Sequence, residues 1–154
     1  MKSIKEERTT ALFQELNEIA GNPKAFHQFA HKHAKDVVYH TLQDYFNVWL
    51  AEHPEMTQTQ IARNCGFSES YAHELLRGSK KKPGKYPVVQ LCIAAHMNLK
   101  ETNRALEIAQ TGILYPKIPV DQAIIYCINS GYQSVVEVAL FIVENGLENP
   151  FRMR

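Results

Sequence analysis

Apolar residues recur every three or four positions along most of the chain, the period of a helix with one face against a core, and this predicts an all-α protein. Over residues 4–20 the stripe is Leu12, Phe13, Leu16, Ile19 and Ala20, closed by Gly21-Asn22-Pro23. A second helical stretch starts at Pro23 and carries Phe26, Phe29 and Ala30. The clearest stripe spans residues 37–53, with Val38, Leu42, Tyr45, Phe46, Trp49 and Leu50 inward until Pro54 blocks continuation. Phe46 and Trp49 fall on that stripe and are expected in the core rather than on a ligand.

Residues 57–78, TQTQIARNCGFSESYAHELLRG, read as two short amphipathic helices around a tight turn. The Thr57 hydroxyl caps the first, and Gln60 reaches back as in a capping box. Ile61 and Ala62 face inward. Gly66 takes the left-handed position past the helix end, where a Cβ is penalised, and Ser68 caps the second helix. In that helix Tyr71, Ala72, Leu75 and Leu76 form one face, leaving Glu69, Ser70, His73, Glu74 and Arg77 to point elsewhere until Gly78 ends it.

Beyond a lysine-rich loop, Ser79 to Lys85, a helix over 87–97 turns Val88, Leu91, Cys92 and Ala95 inward. Asn98 with Glu101 caps another helix, through Leu106 and Ile108 to Gly112. Residues 113–118 connect to Pro119, which suits a helix start, and residues 120–130 continue with Ile124, Ile125 and Ile128 until Gly131. Ser134 with Glu137 forms a capping box for the last helix. Over residues 135–143 only Glu137 is polar, so this helix is expected to be covered on more than one side, by its own chain or by a second one.

Charge changes this picture locally. The chain has 154 residues, 45% of them hydrophobic, and a net charge of +1, so overall basicity announces no nucleic acid. Residues 57–87 nevertheless carry six cations against Glu69 and Glu74, a local balance of +4 that fits either phosphate contact or a solvated loop. Cys65, Cys92 and Cys127 are far apart with no C-x-x-C spacing, proposing neither a disulfide framework nor a zinc site and fitting a reducing cytoplasm. The charged start, MKSIKEERTT, lacks an apolar signal core, and no run approaches the ~20 apolar residues of a membrane span. A cytoplasmic protein without a membrane partner is expected.

His27 and His31 stand four apart and could meet on one helical face, but Asp36 lies on another, so no metal site is expected. There is no Gly-rich phosphate loop, no H-E-x-x-H and no G-x-S-x-G, and neither catalysis nor a cofactor is expected.

The set Thr57-Gln58, Ile61-Ala62, Gly66, Ser68, Leu75 and Gly78, followed by Pro83, resembles the lambda-repressor-like helix-turn-helix family, the Xre/Cro type of bacterial and phage regulators. The likeness spans about residues 36–110, and the flanks look like those of small regulators common in Firmicutes. It implies a five-helix DNA-binding domain over residues 36–112, with an N-terminal helical extension over 1–35 and a C-terminal helical hairpin over 113–154. It further implies sequence-specific binding to double-stranded DNA for transcriptional control, with the 68–77 helix in the major groove. On this resemblance Glu69, Ser70, His73 and Glu74 face base edges. Gln58 contacts backbone phosphate and braces the reading helix, while Arg77, Lys80, Lys81, Lys82 and Lys85 hold phosphates. A homodimer is expected, with Val136, Leu140 and Phe141 at its contact. Glu69 and Glu74 depart from the neutral or basic residues usual in the family. An acidic face also suits a protein-interaction module on the same fold, and an antitoxin of a toxin-antitoxin pair would join both roles.

Overall fold

The computed structural model describes residues 9–34, 41–79 and 82–154, which form nine α-helices and no strand. Val38, Asp36, Lys80, Lys81 and the start of the first expected helix lie outside the described residues. The chain divides into two units, residues 1–40 and residues 41–154.

In the first unit α1 (Thr9–Glu18) and α2 (Pro23–Lys32) form a hairpin. Asn22 makes the junction, its side chain accepting from Ala25 N while Pro23 opens α2. The pair is pinned by Glu15, which meets His33 Nε2 at 3.0 Å and Lys32 Nζ at 3.4 Å. The bond from His33 holds the Glu15 carboxyl below its usual range, with Lys32 adding to the effect. Phe13, Leu16 and Phe26 stay exposed.

The second unit contains α3 (Leu42–Glu52), α4 (Gln58–Asn64), α5 (Glu69–Leu76), α6 (Lys85–Ala94), α7 (Leu99–Ile108), α8 (Pro119–Asn129) and α9 (Val135–Glu144). Thr41 is extended and caps α3 through Asp44 N, so that helix begins at Leu42. Phe46 and Trp49 are buried as expected. Trp49 also donates from Nε1 to Glu101 Oε2 at 2.8 Å and stacks on His53, with ring centroids 3.9 Å apart. Glu101 simultaneously completes the capping box of α7, so one side chain both starts α7 and ties it to α3.

At the centre lies α6. The sequence predicted a helix from Pro87 with one inward face; the structure starts it at Lys85 and buries every residue from Val88 to Ala94. Pro87 is tolerated because it sits in the first turn, where a backbone N–H has no partner within the helix. Gln90 is the one polar side chain in that buried run.

Against α6 and α8, α9 buries Val135, Val138, Ala139 and Ile142. Its opposite side is open: Val136, Leu140 and Val143 are each more than half exposed. Phe141 is half-buried, stacked on Tyr126 at 4.9 Å between centroids. Of the expected capping box only one half forms, Ser134 Oγ accepting from Glu137 N at 3.3 Å. No helix among the described residues is long and apolar enough to cross a membrane.

Candidate functional site

The two short helices are built by the local rules read from the sequence. Thr57 and Gln60 form a complete capping box on α4, with Gln60 N to Thr57 Oγ1 at 3.1 Å and Thr57 N to Gln60 Oε1 at 2.8 Å. Cys65 ends that helix and Gly66 follows at φ +96°. Ser68 Oγ then accepts from Tyr71 N and starts α5. Ile61, Ala62, Ala72, Leu75 and Leu76 are buried between α3, α4, α5 and α6. At the far end Gly78, at φ +79°, lets Ser79 N reach back to Glu74 O at 2.9 Å.

Glu69, Ser70, Glu74 and Arg77 are exposed together on the outer side of α5. Arg63, from the last turn of α4, comes within 3.9 Å of Glu69 in a loose exposed pair. His73 is half-buried, and Gln58 Nε2 donates to its Nδ1 at 2.8 Å. With the amide so oriented the ring proton sits on Nε2, and the imidazole presents a donor. Gln58 thereby ties the first turn of α4 to α5.

The basic loop is divided. Lys80 and Lys81 lie outside the described residues, and Lys82 is exposed with φ 55°. Lys85 is turned inward, its ammonium 2.6 Å from Asp121 Oδ2. That carboxylate is fully buried in the first turn of α8 and also accepts from Tyr86 Oη at 2.8 Å and Tyr115 N at 2.9 Å. Burial, and next the bond to Asp121, push the Tyr86 hydroxyl up to about 12. Lys85 is therefore a brace between α6 and α8, and it drops out of the set of lysines available to phosphate.

One element near the helix pair carries no sequence signal. Residues 151–154 run across the turn between α4 and α5. Phe151 is buried, and Gln90 clamps the next residue in both directions, accepting from Arg152 N at 2.9 Å and donating to Arg152 O at 2.8 Å. The same Gln90 amide donates to Cys65 O at 2.8 Å, and Arg154 N donates to Gly66 O at 2.7 Å. A lone Gln inside the apolar run VVQLCIAA was the visible hint; its partner, 62 residues away, was not.

No family model, curated protein or solved structure matches the chain. His27 and His31 are exposed, and no group of three metal-binding side chains occurs among the described residues. Cys65, Cys92 and Cys127 are buried and unpaired, and burial pushes all three thiols up, that of Cys127 to about 11. They stay protonated near neutrality and are poor nucleophiles.

Proposed function

We propose that this chain binds double-stranded DNA with sequence preference, as a transcriptional regulator, using α4 and α5 as a helix-turn-helix on a lambda-repressor-like core made by α3 to α7. The observation that carries this reading is the α4–α5 pair: both helices capped at their starts, a left-handed glycine between them, one face buried, and Glu69, Ser70, Glu74 and Arg77 exposed on the other. In this reading α5 enters the major groove. His73 offers a donor to a purine N7 or a carbonyl oxygen, Glu69 and Glu74 accept from cytosine N4, and Arg77 and the loop lysines 80 to 82 hold phosphates. Enrichment from a pool of random duplexes at low salt tests the proposal.

The acidic residues give that test its second arm. If a glutamate reads cytosine, Glu69→Gln or Glu74→Gln should relax preference at one base pair and cost about 1 to 3 kcal/mol at the preferred site. If the glutamates only repel phosphate, the same variants should bind every duplex more tightly with the ranking unchanged. A parent and a double variant that both show no preference would favour the protein-interaction reading, which the exposed carboxylates of α5 also support.

The open stripe on α9 supports a homodimer through Val136 and Leu140, with Val143 in place of the expected Phe141, which is stacked on Tyr126. Because Leu140 is 54% exposed in the single chain, Leu140→Glu should leave each chain folded while halving the mass seen in sedimentation, the thermal midpoint falling only by what the dimer contributed. A variant that keeps a dimeric mass moves the contact elsewhere.

A further inference from the structure

The segment 151–154 does more than close the unit. Its backbone is fixed at three points, twice through the buried Gln90 amide and once through Gly66 O. What those bonds leave outside is a pair of exposed arginines. The Arg152 guanidinium lies 4.6 Å from the Tyr71 ring centroid in α5 and makes no hydrogen bond of its own among the described residues. Arg154 gives one donor, from Nη2, to Arg63 O at 2.6 Å, capping the carbonyl end of α4, and keeps the rest of its fork exposed. Arg63 itself is 67% exposed beside Glu69. Three guanidinium groups thus surround the turn and the start of α5, and Glu69 is the one carboxylate that pairs with any of them among the described residues.

Resting on the DNA-binding reading above, we propose that residues 151–154 form a second phosphate-binding element, in which Arg152 and Arg154 grip the duplex backbone beside the N-terminal end of α5. Guanidinium forks match phosphate oxygens in geometry as well as charge. Here the backbone carrying them is already ordered, so little freedom is lost on contact, unlike for an arginine on a loose tail. The arrangement also bears on the acidic reading face: cations held next to Glu69 offset the repulsion a carboxylate would meet among phosphates.

The test is the salt dependence of duplex affinity for the full chain, in three versions: parent, Arg152→Gln/Arg154→Gln, and Arg152→Lys/Arg154→Lys. Both variants retain the backbone bonds to Gln90 and Gly66, and a thermal midpoint checks that they fold. The Gln pair should lower the slope of log K against log salt by about two units and weaken all duplexes alike, while the Lys pair keeps the parent slope. A parent-like slope in the Gln pair overturns the proposal. So does a flattened slope that Lys does not restore, since the arginines would then serve only as a clamp. Arg77→Ala/Lys82→Ala separates the second phosphate-binding element from DNA binding by α5 itself. If that variant flattens the slope and the Gln pair does not, the second element fails and the DNA reading stands; a parent that binds no duplex sinks both.

Discussion

Asp121→Ala should cost the unit about 3 kcal/mol, the lower end of what removing one partner of a buried ion pair costs. The low end applies because the Lys85 side chain retains 18% exposure, whereas Asp121 retains none. The loss has three sources: a cation held away from water without a counter-charge, a Tyr86 hydroxyl without its acceptor, and a Tyr115 N–H left unpaired. Asp121→Asn should be milder, since an amide oxygen can still accept from Tyr86 or Tyr115. Combined with Lys85→Met it should be less harmful than the two single losses added, by about 1 to 3 kcal/mol, because each change removes the reason the other hurts. Urea midpoints of the parent, the two Asp121 variants, Lys85→Met and the double variant measure this. A single-variant loss below about 1 kcal/mol would show that water reaches the pair and that the link between α6 and α8 is made by apolar packing instead.

Gly66→Ala is expected to cost at least as much. At φ +96° any side chain is strained, at about 1 to 3 kcal/mol. A Cβ there would also stand 3.0 Å from Gln90 Nε2 and 3.2 Å from both Met153 Sδ and Val135 Cγ1. Overpacking of that kind adds roughly 1 to 3 kcal/mol. Gly131 separates the two costs, having φ +85° and no heavy atom within 4 Å of its would-be Cβ. Gly131→Ala should show the backbone strain alone, and the excess at Gly66 measures how tightly the turn, α6, α9 and the 151–154 segment close on one another. Equal losses at the two positions would mean that those neighbours give way freely.

Most of what depends on neighbours three or four residues apart was legible in the sequence, although the Ser134–Glu137 capping box forms only by half. The Thr57 and Asn98 capping boxes, the Ser68 cap, the left-handed Gly66 and the helix end at Gly78 follow from backbone chemistry inside one turn, and the structure has each of them. Burial was legible where a stripe was narrow, as at Phe46 and Trp49, and misread where it was not. α6 has no charge from Tyr86 to Ala95, and a helix of that composition is enclosed all round rather than on one face. Lys85 looked like its loop neighbours because nothing near it announces Asp121, 36 residues later. The partners of Gln90 in residues 151–154 were invisible for the same reason. A polar side chain in an apolar run requires a partner, but sequence alone does not say which one.

The pins on the turn also set an order of assembly. The bonds that hold Gly66 and its surroundings join residues 62 and 91 positions apart, from Gln90 to Arg152 and from Arg63 to Arg154. Closing loops of that length costs entropy before any contact rewards it, and long-range contacts slow folding accordingly. As the chain is synthesised, α4 and α5 can form and cap themselves early and Gln90 can reach Cys65 O once α6 is made, but the anchors from residues 152 and 154 come only after α7, α8 and α9. The surface proposed to meet DNA is therefore finished last, which delays its full rigidity until the rest of the unit is in place.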